Sequence, residues 1–435
     1  MSISGRLFTA GQEQAIEGRF WACYLPFTDQ ERSYTVLIAR AQAPYQMLRE
    51  IGGGSPLVKR CAQAVAFANL GRETGDRRLN MRGAQLYNGV LTQARDMVAT
   101  HSISTQQRDD LLVCCLVMCT YELLRDDTEL GTWYFNAYFS HVSGLCQVIR
   151  NVNKSREPSP SMQYAWREAR LMAFRSAMFL RQPIFGLERP PEWSTSTPSL
   201  KLSDDVLDNM FELAKWFPTV DNLMKRMDQM QRTTIEPAAV ERIVDRGLEI
   251  ARELMDWEER AMAIYCSDRR PTLYSLCSTA DGELLNVLTH HWMTCMLLHS
   301  QLQLLVARCS LWHPHLKLPF WIDGWPYAVF ISVAGPLFSN PRFGIWSALA
   351  SHTPMIATNF YFAANGHWQT PEARSLREFV EDESRPGNGL MRKFFYGLFA
   401  RADVIIPQDG MVKAAQAWYG VRDSTPWKGA EESKK

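Results

Sequence analysis

No window of this 435-residue chain reaches 18 uninterrupted apolar residues, the length at which a membrane-spanning helix becomes a candidate, so no membrane span is expected. The opening stretch MSISGRLFTAGQEQAIEGRF lacks the apolar h-region of a signal peptide. Ten cysteines in such a chain are expected as reduced thiols inside the cell, in nucleus or cytoplasm. No two of them are spaced C-x2-C, the turn that aims a pair of thiolates at one zinc ion, so neither a metal nor another cofactor is expected. There is no G-x-S-x-G elbow for a serine nucleophile. GGGS (52–55) is not followed by the Lys-Ser/Thr of a phosphate loop and reads as a linker or helix stop. Formal net charge is only +1. The densest basic steps are DRRL, DRRP and the final SKK, so neither a nucleic-acid footprint nor a nuclear signal is visible. Nuclear entry would ride on a partner.

What the chain has in quantity is apolar residues, 46% of the total, enough to bury a large core. Strand signals are few, and no Asn-Gly or Asp-Gly step sits between alternating runs. Helical periodicity dominates from about residue 56 onward, with apolar side chains three and four apart. Helices are expected over about 58–70, 79–99, 105–124, 133–150, 164–181, 203–216, 220–231, 237–260, 283–312, 326–338, 344–364, 371–382, 389–401 and 410–420. Pro/Gly/Ser breaks separate most of them. The fold class is all-α, a large compact or superhelical multi-helix bundle. Residues 1–44 read as a partly irregular N-terminal segment, 45–405 as one helical domain with a sub-boundary near 182–203 left open, and 406–435 as a C-terminal helix with a polar tail.

LLVCCLVMCTYELL (111–124) raises its own question, because Cys114, Cys115 and Cys119 lie within it. Cys115 and Cys119, four apart, share a helix face, and Cys114 points about 100° away. The neighbours are leucine, valine and methionine, which keep a thiol protonated and inert. The stretch reads as a buried helix rather than a redox or metal site.

Four segments carry a family resemblance. AVAFANLGRETGDRRLNMRGAQLYNGVLTQAR (64–95) resembles paired helices joined by a Gly-Asp turn, the second bearing leucine and tyrosine. DDLLVCCLVMCTYELL (109–124) looks like a buried helix ending in an aromatic-Glu-Leu-Leu step. WYFNAYFSHVSGLCQVI (133–149) carries a His-x-x-Gly pattern at His141 and Gly144. SNPRFGIWSALASHTPMIATNFYF (339–362) carries an Arg-Phe-Gly step before an apolar helix. In this order they are similar to the fungal-specific transcription factor domain, the helical regulatory region downstream of a fungal binuclear zinc cluster. The resemblance runs from about residue 45 to 400. It implies a regulatory, ligand-responsive or partner-binding domain, in a family often associated with secondary-metabolite genes. The six paired cysteines of the family's DNA-contacting module have no counterpart, since only Cys23 and Cys61 precede the core helix. Autonomous DNA binding is therefore not expected.

Several constellations are candidates for chemistry. His291, Cys295 and His299 form a stripe at i, i+4 and i+8, with Glu283 near the same face. The outer pair lies about 12 Å apart along a helix, too far for one ion, and a hydrogen-bonded helix flank is the favoured reading. Asp126 and Asp127 in RDDTEL resemble paired magnesium ligands, but Gly131 follows and no partner motif appears downstream, so a loop or cap is favoured. His141, flanked by Ser140 and Ser143, is a weak general-base candidate and reads better as an interhelical packing or hydrogen-bonding residue. The aromatic-rich span 312–368 is the best small-molecule candidate. Trp321, Trp325, Tyr327, Phe343, Trp346 and Tyr361 would line an apolar pocket, with His352 and Asn359 to orient a ligand. The alternative is that these side chains are core. Two functions follow as expectations. The favoured one is a non-catalytic regulator acting through a protein partner, a homodimer contact or a bound apolar small molecule. The alternative is an enzyme of secondary metabolism that converts an apolar metabolite in the aromatic-lined cavity.

Overall fold

Twelve α-helices run through the described residues, and none of those residues is in a strand. The computed structural model describes residues 8–24, 55–99, 103–124, 133–150, 160–180, 198–229, 236–265, 281–310, 312–339, 344–367 and 369–382. The helices are α1 (Ala10–Tyr24), α2 (Pro56–Thr74), α3 (Arg77–Ala99), α4 (Thr105–Leu124), α5 (Trp133–Arg150) and α6 (Pro160–Leu180). They continue as α7 (Pro198–Asp228), α8 (Pro237–Tyr265), α9 (Asp281–Cys309), α10 (Trp325–Ala334), α11 (Gly344–Ala364) and α12 (Pro371–Glu381). A 3-10 turn, Gly335–Ser339, extends α10. The expected helices at 389–401 and 410–420 lie outside the described residues, as does most of the expected sub-boundary.

Local chemistry sets many of the ends. Ser55 accepts a hydrogen bond from the Val58 amide and Pro56 follows it, so α2 starts on a side-chain cap with proline where no amide is needed. Thr370 and Pro371 repeat the device at α12. Gly75 ends α2 at φ 65°, a left-handed conformation that costs glycine little. Asp76 then accepts from the Arg78 amide at 2.9 Å and opens α3.

Helix α1 lies within the segment expected to be partly irregular. Its period is weak, and tertiary contact holds it: Phe20 is buried in the main core, and Glu13 accepts from Arg82 of α3 at 2.6 Å. Two expectations need correction. Helix α7 is one element of 31 residues, not two, and it runs through Pro218. The ring removes one intrahelical bond, yet Leu213, Trp216, Phe217, Val220 and Leu223 on both sides are buried, and their packing keeps the axis going. Helix α10 stops at Ala334 and tightens into the 3-10 turn at Gly335–Pro336, which shortens the expected 326–338.

The apolar faces meet in two cores. The larger joins α1 to α6, the first half of α7, the end of α8, the first half of α9 and α10 to α12. The smaller is a three-helix layer of the second half of α7, most of α8 and the second half of α9, closed by Ile322. Helix α9 belongs to both. Every residue from Leu285 to Met296 is buried, and below that point Leu298, Leu302, Leu305 and Cys309 continue as an inward stripe.

Truncating that stripe leaves a void that rigid neighbours do not refill. Leu298→Ala is expected to lower the free energy of unfolding by about 2–5 kcal/mol. Leu304→Ala, on the same helix but 45% exposed, is expected to change it by about 0.5 kcal/mol or less. Urea titration of both variants checks this, and equal losses would show that α9 is not a shared spine.

Candidate functional site

Residues 111–124 form the interior of α4, with Cys114 and Cys119 buried and Cys115 half-buried. The Cys61 thiol of α2 donates to the Cys114 carbonyl at 3.6 Å. Burial, helped by the neighbouring Cys114 and Cys146, pushes the Cys115 thiol up to about 12. Burial holds Cys61 and Cys119 well above the ordinary thiol range too. Such thiols stay protonated, which removes the thiolate that metal binding or redox exchange needs.

The last turn of that helix carries a charge no apolar period predicts. Glu122 is fully buried beside Leu123 and Leu124. Tyr87 of α3 donates its hydroxyl hydrogen to Glu122 Oε1. With that proton committed, the phenol oxygen accepts from His141 Nε2 of α5 at 2.8 Å, a tautomer assigned from the network. His141 Nε2 lies 3.6 Å from Glu122 Oε1, and only 12% of its side chain is exposed. Tyr121 stacks on Tyr87 with ring centroids 4.3 Å apart. A carboxylate in the interior needs donors, and here Tyr87 supplies one to Oε1 from a neighbouring helix. His141 thus works as one corner of an interhelical hydrogen-bond cluster. Ser140 and Ser143 are both exposed, so neither sits in that cluster's interior. Glu122 and Tyr87 escaped sequence reasoning. The readable signal was an acid inside an otherwise apolar helix.

The stripe on α9 divides. His291 is fully buried, its ring 4.3 Å from that of Trp257. Its Nε2 stands 3.5 Å from Glu258 Oε2 and 3.6 Å from Cys295 Sγ. Eight residues on, His299 Nδ1 donates to the Asp323 carbonyl at 2.9 Å. Burial lowers the His299 imidazole below its ordinary value, partly opposed by that carbonyl, so at neutral pH it is uncharged. Among the described residues no three His, Cys, Asp or Glu side chains are placed to hold one metal ion. Glu283 lies on α9, but its side chain is outside the described ones.

Of the described aromatic candidates, Trp321, Tyr327 and Tyr361 share one corner and Trp325 faces another way. Trp321 and Tyr327 both face His299, with ring centroids 6.2 and 5.4 Å away. Tyr361 approaches the same corner beneath Gly324, where an added Cβ would stand 2.9 Å from its ring. Burial raises the Tyr361 phenol to about 12 and the Tyr327 phenol further. Trp325 turns away toward Phe362 and His367. His352 and Asn359 are buried on α11, with His352 Nε2 3.4 Å from the Thr353 hydroxyl. Phe343, Asp126 and Asp127 lie outside the described residues, as does the side chain of Trp346. Two open clefts on the described surface, of about 380 and 560 Å³, lie between α7 and α8 and touch none of these candidates. No described helix is long and apolar enough to cross a membrane. Comparison with protein-family models, curated proteins and solved structures finds no match.

Tyr87→Phe takes a donor from the buried Glu122 carboxylate and is expected to cost about 1–3 kcal/mol. A urea-denaturation loss of only a few tenths would show that the cluster contributes little. For His299, the unfolded chain takes up its proton near pH 6.5 and the folded chain only at lower pH. Between those values the unfolded state holds the extra proton, so stability falls as pH drops below about 6.5. His299→Asn keeps an amide donor for the Asp323 carbonyl and removes the titration. Its Tm is expected to fall less between pH 7 and pH 5.5 than that of the unsubstituted chain, and parallel Tm–pH curves would refute the assignment.

Proposed function

We propose that this chain is a non-catalytic helical regulatory domain of the kind the fungal-specific transcription factor domain represents, working through protein partners or a bound apolar molecule. The observation that carries the reading is the cluster of Tyr87, Glu122 and His141. Tyr87 comes from the tyrosine-bearing helix, Glu122 from the aromatic-Glu-Leu-Leu step and His141 from the His-x-x-Gly helix. Three of the four segments that bear the resemblance thus meet through the residues that mark them. The paired helices of the first segment also pack closely: an added Cβ at Gly83 would stand 3.1 Å from the Ala68 backbone nitrogen.

The seam of His291, Cys295, His299 and Glu258 beside the rings of Trp257, Trp321 and Tyr327 favours a second reading. In it the chain converts an apolar metabolite at that seam. Against it, the one thiol there is held protonated by burial, and His299 gives its Nδ1 proton to a backbone carbonyl.

Fusion to a heterologous DNA-binding module upstream of a reporter gene tests the regulatory reading. Transcription is expected to change several-fold relative to the module alone. An unchanged reporter with a folded fusion would count against it. Native mass spectrometry with solvent extraction of the purified chain tests the second reading, since a retained organic molecule of defined mass would shift the balance toward it.

A further inference from the structure

The two clefts between α7 and α8 are halves of one groove. These helices run antiparallel, and Arg246, which lines one half, lies 3.7 Å from Glu253, which lines the other. Along α7 the groove runs from Asp205 to Thr219, about 20 Å at 1.5 Å per residue. Its two ends differ in charge. One is lined by Asp205, Asp208, Glu253, Asp256 and Glu259, five carboxylates against the single guanidinium of Arg260. Arg260 pairs with Asp205 at 2.8 Å, and Arg170 reaches Asp208 from behind. Asp256 and Glu259 stand exposed at the rim. The other end is lined by Lys215, Arg242 and Arg246 against Glu212, over a floor of Trp216, Ala239 and Ile243. Glu212 is shared by Lys215 at 2.9 Å and Arg246 at 2.7 Å. Arg242 is 69% exposed and, among the described residues, pairs with Glu236 at 3.8 Å.

A groove of this kind is its own complement. We propose that two copies of this chain dimerise through the α7–α8 groove, about a two-fold axis that crosses it at right angles near Glu212 and Glu249. That axis lays the acidic end of each copy on the basic end of the other, twice over, as an isologous interface requires. An axis along the groove would set acid on acid and is excluded by repulsion. Helix α8 is well placed to form such a contact, because it packs on α7 and α9 and turns its remaining face outward, with Met255 exposed beside the acidic end. The dimer is independent of the regulatory reading, since the groove's charges alone call for it.

Analytical ultracentrifugation of the whole chain at micromolar concentration tests the proposal together with a charge swap. E253K/D256K/E259K makes both ends basic, and K215E/R242E makes both ends acidic. The unsubstituted chain is expected to dimerise in about 50 mM salt, and its Kd to weaken at least about tenfold in about 500 mM salt, where the charges are screened. Each variant alone is expected to be monomeric. Their equimolar mixture is expected to regain a one-to-one dimer, since basic ends then face acidic ends. That recovery also shows that neither variant has failed to fold. A chain that is monomeric at low salt overturns the proposal. So does a dimer indifferent to salt and to both swaps, or a mixture of folded variants, judged by circular dichroism, that stays monomeric.

Discussion

Helix α9 must satisfy two cores at once, and most of the architecture follows from that demand. From Leu285 to Met296 it is enclosed on every side, yet that stretch contains Asn286, Thr289, His290, His291 and Thr294. A helix buried all round is expected to be apolar all round. Thr289, His290 and Thr294 are tolerated because the helix supplies acceptors for them. Thr289 and His290 both donate to the Asn286 carbonyl, and Thr294 donates to that of His290. Such bonds to carbonyls three or four residues back satisfy hydroxyl and ring donors without a partner from elsewhere. With those three donors satisfied within the helix, α9 receives α7 and α8 on one side and α10 and α11 on the other.

Charges in the interior are handled by crossing between helices. Arg167 of α6 grips Asp204 of α7 through two parallel bonds of 2.6 and 2.8 Å, the planar fork that suits a carboxylate. Arg175 reaches His290 of α9 and the Ala350 carbonyl of α11. Tyr87, Glu122 and His141 do the same for α3, α4 and α5. Once buried, such groups tolerate few alternative packings, because a shift of one turn would strand a charge away from water. They give the bundle its register, which apolar contacts alone leave loose.

The regulatory reading and the self-complementary groove occupy different parts of the molecule. The cluster that supports the first lies in the larger core, and the groove lies on the outer side of the smaller one. A domain organised in this way holds its marker residues inside and presents its polarised charge outside. Two open clefts lie among salt-bridged side chains between α7 and α8, and among the described rings of 312–368 several pack around His299 and Phe362.

Helix content was legible in the sequence because its signals are local. The three- and four-residue spacing of apolar side chains, the Ser55-Pro56 and Thr370-Pro371 starts and the Gly75-Asp76 turn each act within a few residues, and the chain obeys them. The burial of the Cys114 and Cys119 side chains was legible for the same reason, as their neighbours along one helix decide it. Where local signals misled, a distant contact had intervened: buried residues either side of Pro218 carry α7 through a proline. The meeting of Tyr87 with Glu122 and His141, 35 and 54 residues away, could be read from no window. Neither could the division of His291 from His299, or the joining of acidic and basic rims along α7 and α8. The amino-acid sequence determined which segments are helical and which faces are apolar, since propensity and periodicity belong to neighbouring residues. Tertiary structure alone decided which polar side chains meet, because that depends on the register in which one helix packs on another.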